Sequence, residues 1–463
     1  MYLGAGSSPA ICRFERGLKE TSTLLLFIFD LHVSSEKAMK KQNESKMNKN
    51  LLKNKAFLHT PIDWKFIIGL ILINVFGLIM IYSASYYYAY NHFKQDAAHF
   101  FKSQLLWVVL GLIVTILVSY IRPAFWKKWV WVAIALSFVA VLLVRVPGLG
   151  HASHGAYRWI KIFGLTLQVA EPIKIGVIVG LAGLFEKYRI RSERQVWLIL
   201  LGTAILSFML YFITDNMSTA IIVFCMVYFS CMIVLPKRKK LTVLLIIGIV
   251  LAILLVVVLV SRDYELGENF RITRIRAWLD PTNPLFITEE AYQPTQASYA
   301  IASGGFFGKG LGQSLIKFKL PEPHNDYILS IIFEELGIFG ALILISLFAY
   351  LLYKTFRVFL EAKDRFDKML VLGVFLHLSL QTILNFGVTL GLLPTTGVTL
   401  PFISAGGTSA FFLLIEFGLV MSVERQNEER RLYNETKTEM ENNDPYLKHL
   451  WEEEKEREQH EQN

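Results

Sequence analysis

The sequence predicts an all-α fold, a polytopic membrane helix bundle of about ten transmembrane helices. Apolar residues make up 54% of the 463 residues and charged residues only 18%, whereas about a quarter of a soluble chain is charged. The apolar residues fall in runs of about 18 or more, the length that crosses a bilayer core of roughly 30 Å. The basic residues cluster in short loops between these runs. Composition, run length and loop charge together give the fold class.

Ten apolar runs are long enough to be predicted as spans. Their approximate limits are 64–84, 103–121, 128–146, 170–187, 196–213, 217–235, 241–260, 327–353, 368–390 and 407–423. The fourth is the least apolar, because Glu171 and Lys174 lie in its first turn. No internal repeat indicates inverted halves.

The short loops set the orientation of the bundle. Lys and Arg residues concentrate between spans two and three, four and five, six and seven, and eight and nine. Basic loops stay in the cytoplasm, so both termini are predicted to be cytoplasmic. The net charge of +9 is explained by topology, and no nucleic acid partner is predicted. Residues 261–326, between spans seven and eight, form a large extracellular loop that is too long for a plain connection.

The two ends of the chain differ from the bundle. Residues 1–46 are interpreted as an N-terminal extension that is disordered or follows from a mis-assigned start, because Met47 opens a basic lead into the first span. Residues 47–425 form the predicted ten-span membrane domain, and 426–463 a charged cytoplasmic tail. The three cysteines have neither metal-ligand nor CxxC spacing, so no metal site is predicted.

Polar residues converge on the predicted outer face. Asp326 lies where span eight begins, and a carboxylate at the low-dielectric edge of a bilayer has its pKa moved toward neutrality, which suits a general base. Basic residues beside it would neutralise a diphosphate. The other polar residues at this depth are Arg158, Glu171, Lys174, Asp215, Asn385 and Ser404. Each alone is more often an anchor at a span end, but together they indicate a site.

Glycines at 304–312 are a weak signal. They include no P-loop and no nucleotide fingerprint after a strand, so close packing or a turn at the membrane surface is the better interpretation. Glu416, deep in span ten, is expected to have a partner inside the bundle or to be protonated.

Three segments carry a resemblance to a known family. Residues 319–327 contain Pro-Glu-x-His-x-Asp, followed by Glu-Glu-Leu-Gly at 334–337. Residues 397–409 contain Leu-Pro-Phe-Ile-Ser-Ala-Gly-Gly-Thr-Ser, and 303–312 are glycine-rich. In this order and spacing they resemble the SEDS family (shape, elongation, division and sporulation), the RodA, FtsW and SpoVE group, and FtsW most. The resemblance extends over roughly residues 60–425.

The resemblance implies a peptidoglycan glycosyltransferase that uses lipid II. Asp326 would be the catalytic residue that deprotonates the attacking sugar hydroxyl, and undecaprenyl diphosphate would leave. Segments 155–159 and 168–171 match those that line the substrate region in the family, although Tyr157, Val169 and Ala170 depart from its usual residues. The predicted substrate-binding residues are Arg158, Glu171, Lys174, Asp215, Lys309, Lys319, Glu322, His324 and Ser404.

The resemblance also implies partners and a location. The partners would be a class B penicillin-binding protein, which is a transpeptidase, and other divisome or elongasome proteins. The location would be the cytoplasmic membrane, at the division septum, with the long charged tail favouring division over elongation. A divalent cation, Mg²⁺ or Mn²⁺, stays open as a cofactor.

Two other functions are compatible with ten helices. A lipid II flippase would need a site near the midplane with access from both sides, whereas the acids and bases here concentrate outside. A scaffold that recruits division proteins through its tail would leave the outer cluster unexplained.

Overall fold

A computed structural model describes residues 60–153, 156–162, 165–187, 193–235, 239–261, 270–283, 286 and 288–443. The predicted extension 1–46, Met47, the last part of the tail and several basic loop residues lie outside this part of the chain.

Ten helices occupy the ten predicted spans. They are α1 (Trp64–His92), α2 (His99–Ser119), α4 (Val130–Leu143), α5 (Ala170–Lys187), α6 (Glu193–Ile213), α7 (Met217–Val234), α8 (Lys239–Ser261), α11 (Ile328–Glu361), α12 (Arg365–Thr389) and α13 (Gly407–Asn443). Shorter helices are α3 (Pro123–Lys128), α9 (Phe270–Leu279), α10 (Tyr292–Gly304) and the 3₁₀ turn η1 (Ile316–Phe318).

Eight of these helices in the described chain are long and apolar enough to cross a membrane. The other two predicted spans fall short for different reasons: α4 has 14 residues, and α5 carries charges at both ends. The chain is a polytopic helical membrane protein. Several helices run past their predicted limits, and α13 continues through the polar tail to Asn443, because Glu, Lys and Arg favour helix as well as apolar residues do.

Small residues bring the central helices close together. A Cβ on Gly111 of α2 would lie 2.5 Å from Leu414 of α13, and the hydroxyl of Thr115 donates to the Leu414 carbonyl at 2.7 Å. Gly176 and Gly183 of α5 pack against α4 in the same way. Helices in lipid gain stability from such close packing and from hydrogen bonds between helices.

The helix α11 is interrupted at Gly337, whose φ is +68°. The segment that follows α10 pairs with the interruption: the amides of Ile338 and Phe339 donate to the carbonyls of Gly305 and Phe306, at 3.1 and 3.0 Å. A Cβ on Gly337 would lie 2.4 Å from the backbone nitrogen of Gly308. Glycine is therefore required there, and the interruption ties the outer loop to α11.

The predicted outer loops contain structure that sequence analysis did not foresee. Three strands form an antiparallel sheet in the order β1 (Gly150–Ser153), β2 (Ala156–Ile162) and β3 (Leu165–Gln168). Trp159 of β2 pairs with Gln168 of β3. Residues 261–326 contain α9, α10 and η1, so this long loop is structured over much of its described length.

The helix α8 stands apart from the other helices. Its side chains are almost all exposed over the apolar window 239–258, and those of Ile246, Val250 and Ile253 are more than half exposed. A helix that is hydrophobic on every side and unburied is typical of contact with lipid.

Candidate active site

Asp326 lies in the turn that leads into α11, where its side chain is partly buried. Its backbone is held by α12, since Nδ2 of Asn385 donates to the Asp326 carbonyl at 2.9 Å. Gly397 passes beside the carboxylate with a φ of +71°, and a Cβ there would lie 3.6 Å from Oδ2. The carboxylate is therefore bordered by backbone on one side.

The segment 398–406 clamps the Asp326 turn from the other direction. The hydroxyl of Ser404 donates to the Asn325 carbonyl at 2.8 Å and accepts from the Leu400 amide at 2.8 Å. The Ala405 amide donates to the His324 carbonyl at 2.8 Å. Ser404, which sequence analysis predicted to bind substrate, is thus brought to the candidate site, where its hydroxyl holds the Asp326 turn.

His324 is buried beneath the same turn. Its ring packs against Phe100, with centroids 4.1 Å apart, and against Tyr88 at 5.2 Å. Burial lowers the pKa of His324 to about 4, because the charged form is disfavoured away from water. The imidazole is therefore neutral near pH 7, and its ring packs the turn against α1 and α2.

Charged groups on the same turn and on two other segments act on Asp326. Burial and the Glu322 carboxylate raise the pKa of Asp326 to about 6, and the positive charges of Arg274 and Arg158 offset part of that rise. Glu322 also accepts a hydrogen bond from Nδ2 of Asn325. A carboxyl group with this pKa is ionised at neutral pH and still basic enough to accept a proton in a reaction.

The sheet and the turn between α6 and α7 position Arg158. Its Nη2 donates to the Asp215 carbonyl at 2.7 Å. The Asp215 carboxylate lies 3.9 Å from Nη2 of Arg145, and Arg145 stacks on the Tyr157 ring at 4.7 Å. Asp215 therefore anchors arginines with both its backbone and its side chain. Arg158 and Arg274 supply positive charge beside Asp326, suited to a phosphate-bearing substrate.

Glu171 and Lys174 are placed differently from the other predicted site residues. Both are buried in α5 and form an ion pair of 3.0 Å. Lys174 also donates to Oε1 of Gln381 at 3.2 Å, and Nε2 of Gln381 donates to the Thr399 carbonyl at 3.1 Å. The pair thus reaches the site through the 397–399 backbone.

Lys309 and Lys319 lie on the loop between α10 and α11. Nζ of Lys309 contacts Oε1 of Glu334 at 2.7 Å, so it fastens this loop to α11. Lys319 is exposed at the end of η1, and its carbonyl accepts from the Tyr292 hydroxyl at 3.1 Å. Within the described part of the chain, neither lysine forms a hydrogen bond or ion pair with the Asp326 turn.

A second buried pair beside Lys309 was not predicted from sequence. Nζ of Lys317 lies 2.9 Å from Oε1 of Glu335, and both side chains are fully buried. The hydroxyl of Ser83 on α1 donates to the same carboxylate at 2.5 Å. Glu335 belongs to the Glu-Glu-Leu-Gly motif, which does not indicate a partner for it. No periodicity distinguishes Lys317 from an exposed loop lysine, so the ion pair could not be predicted.

Carboxylates near Asp326 are too few for a metal cage. Throughout the described residues no group of three or more His, Cys, Asp or Glu side chains could hold a metal ion. Asp326 and Glu322 are two oxygen donors, and Mg²⁺ commonly uses one or two carboxylates together with substrate phosphates.

The sequence of the chain places it in a known family. The chain matches the FtsW/RodA/SpoVE family, described as “Cell cycle protein”, over residues 63–429. The “Probable peptidoglycan glycosyltransferase FtsW” of Trichlorobacter lovleyi is 32% identical over 372 residues, 80% of this chain and 94% of that protein. “Stage V sporulation protein E” of Bacillus subtilis is 33% identical over 364 residues, 78% of this chain and 95% of that protein.

Solved structures share the fold. A chain described under “Structural coordination of polymerization and crosslinking by a peptidoglycan synthase complex” matches with a TM-score of 0.64 at 24% identity, over 79% of this chain and 98% of that chain. Thermus thermophilus RodA matches with a TM-score of 0.56 at 23% identity, over 80% and 98%. The protein therefore belongs to the FtsW/RodA/SpoVE family, as its motifs predicted.

Proposed function

We propose that this protein is a peptidoglycan glycosyltransferase that polymerises lipid II into glycan strands on the outer face of the cytoplasmic membrane. The observation that carries the proposal is Asp326, a carboxylate whose pKa is raised to about 6, at the predicted outer end of α11 beside Arg158 and Arg274. The names of the relatives support the same reaction class.

In the proposed reaction Asp326 acts as the general base. It takes the proton from the acceptor sugar hydroxyl as that oxygen forms a bond to the anomeric carbon of the donor. The bond between the anomeric carbon and the diphosphate breaks, and undecaprenyl diphosphate leaves with the electron pair. The base must be ionised when substrate binds, which a pKa of about 6 allows at neutral pH.

Arg158 and Arg274 would stabilise the negative charge that develops on the departing diphosphate. Arg158 is already fixed by its hydrogen bond to the Asp215 backbone, so little reorganisation is needed during the reaction. The carboxylates of Glu322 and Asp326 would hold a divalent cation, if the enzyme uses one, and the ion would supply positive charge that stabilises the departing diphosphate.

The partner and the location are part of the proposal. One structural relative belongs to a complex that couples polymerization to crosslinking, which supports a crosslinking partner, and we take this partner to be a class B penicillin-binding protein. The division septum is proposed from the resemblance to FtsW alone. A flippase is less well supported, because the cluster around Asp326 is at one end of the helices and a transporter needs its site near the midplane.

The test is an assay of the purified protein in vesicles, with its cognate transpeptidase present and lipid II labelled on the sugar. The proposal predicts labelled glycan chains together with release of undecaprenyl diphosphate. A parallel assay follows movement of fluorescent lipid II between leaflets. Movement without glycan chains would overturn the polymerase and favour the flippase.

A further inference from the structure

The proposed reaction leaves one buried acid unexplained. Glu416 lies deep in α13 and is 1% exposed. Its Oε2 lies 2.7 Å from Nδ1 of His377 on α12, a residue that is also 1% exposed. The expected partner of Glu416 inside the bundle is thus His377. Ionisable groups inside a membrane are costly, so a retained pair calls for a function.

Hydrogen-bond partners define where the protons of this pair lie. Gln381 presents Oε1 to Lys174 and Nε2 to the Thr399 carbonyl, and because lysine can only donate and a carbonyl can only accept, this orients the amide. Nε2 of His377 lies 2.9 Å from the same Oε1, so it must carry a proton. One more proton lies between Nδ1 and Glu416. The pair as a whole is therefore electrically neutral.

The other end of this network lies beside the proposed general base. His377, Gln381 and Asn385 follow one another at intervals of four residues, so they share one face of α12. Gln381 binds the Thr399 carbonyl, and Asn385 binds the carbonyls of Val398 and Asp326 at 2.7 and 2.9 Å. This face thus holds the 397–399 backbone that borders Asp326.

We propose that His377 and Glu416 are positioning residues that keep the 397–399 segment against Asp326. The inference rests on the proposed function for its effect on rate. The neutral pair fixes Gln381, and Gln381 fixes Thr399, so Gly397 stays beside the carboxylate. Loss of one such hydrogen bond costs little stability, whereas a shift of about 1 Å in a catalytic group can cost about 100-fold in rate.

The kinetic test compares single and double variants. His377→Leu together with Glu416→Leu removes the pair without leaving an unpaired charge, so it should be more stable than either single variant. We expect it to lower kcat about tenfold and to leave KM for lipid II within about twofold. Glu416→Gln keeps a neutral hydrogen-bond partner, because its amide nitrogen can donate to the unprotonated Nδ1, and this variant should retain most of the wild-type kcat.

The matched control is Ser379→Ala, because the Ser379 hydroxyl bonds only within α12, to the Phe375 carbonyl. Its kcat should stay at the wild-type value. A double variant with wild-type kcat would overturn the proposal and leave the pair a purely structural one.

A second measurement does not depend on activity. The amides of Leu400 and Ala405 bond to Ser404 and to the His324 carbonyl, and their hydrogen exchange reports how firmly the clamp is held. In the double variant exchange at these amides should be several-fold faster, and in Ser379→Ala it should not change. Unchanged exchange in the double variant would overturn the positioning proposal, whether or not the protein makes glycan. Absence of glycan synthesis by the wild-type protein would overturn the proposed function instead.

Discussion

The Asn385 side chain binds the backbone of Asp326: Nδ2 of Asn385 donates to the Asp326 carbonyl at 2.9 Å. The Asp326 carboxylate is not used in this bond. Asn385 therefore fixes the turn through the main chain of Asp326, and this hydrogen bond does not occupy the carboxylate oxygens. The same Nδ2 also donates to the Val398 carbonyl, so Asn385 links the Asp326 turn to the 397–399 segment that borders it.

The charges around Asp326 predict how activity depends on pH. Because the base must be ionised, kcat/KM should rise with pH through about 6, the pKa to which burial and Glu322 raise Asp326. Arg274→Gln removes a charge that lowers this pKa, so the rise should move to higher pH. Glu322→Gln removes a charge that raises the pKa, so the rise should move to lower pH.

The measurement for these two variants is glycan synthesis between about pH 5 and about pH 8. The control is Glu289→Gln, an exposed acid between α9 and α10, which should leave the profile unchanged. Movement of both profiles in the same direction would show that at least one of the two charges does not act on Asp326 as described.

The same pKa makes a prediction about stability. The folded state raises the pKa of Asp326 from 3.8 to about 6, so ionisation of this group destabilises the fold. The penalty is absent below about pH 3.8, grows between about 3.8 and 6, and is complete above. Asp326→Asn should therefore raise the free energy of unfolding at pH 7.5 by on the order of 2 kcal/mol, with the gain lost near pH 4.

Thermal unfolding in detergent at these two pH values measures this effect. Such a gain in stability on removal of a functional residue is common at active sites. A variant that is less stable than wild type at pH 7.5 would contradict the account of burial.

The Lys317–Glu335 pair should dominate the stability of the outer loop. Both side chains are fully buried, so Lys317→Met leaves a buried carboxylate uncompensated and should cost about 3–5 kcal/mol. The double variant with Glu335→Gln should recover much of that loss. The control is Lys102→Met, which breaks the exposed pair with Asp96 and should cost less than about 1 kcal/mol. Equal losses for Lys317→Met and Lys102→Met in denaturant titrations would contradict this.

Helices at the ten predicted spans, eight of them long and apolar enough to cross a membrane, could be predicted because lipid leaves the chain few alternatives. A helix must satisfy its own backbone, and its residues must be apolar for about 20 positions. The helix ends could not be predicted as well, since α13 continues through charged residues to Asn443. The predicted boundary between the membrane domain and the charged tail, at 425/426, falls inside α13. It remains a prediction of where the charged residues begin.

The site could be predicted only in part. Asp326, Arg158, Glu322, His324 and Ser404 were named from motifs, and the structure brings them together. A motif does not show which groups a side chain will contact. The hydrogen bonds of the Ser404 hydroxyl to backbone groups could therefore not be predicted.

The network behind the site was missed, although a signal was present. His377, Gln381 and Asn385 are polar residues four apart in an apolar span, which places them on one face. Only Asn385 was noticed. Glu416 was recognised as unusual, but its partner lies 39 residues away, a separation that no periodicity spans.

The central claim is that Asp326 is the general base of glycan polymerisation. The most direct measurement is glycan synthesis from labelled lipid II by wild type and by Asp326→Asn, both with the transpeptidase and both shown to be folded by thermal unfolding. The account predicts glycan chains from wild type and at least about a 100-fold lower rate from the variant. A folded Asp326→Asn variant that makes glycan at the wild-type rate would contradict it.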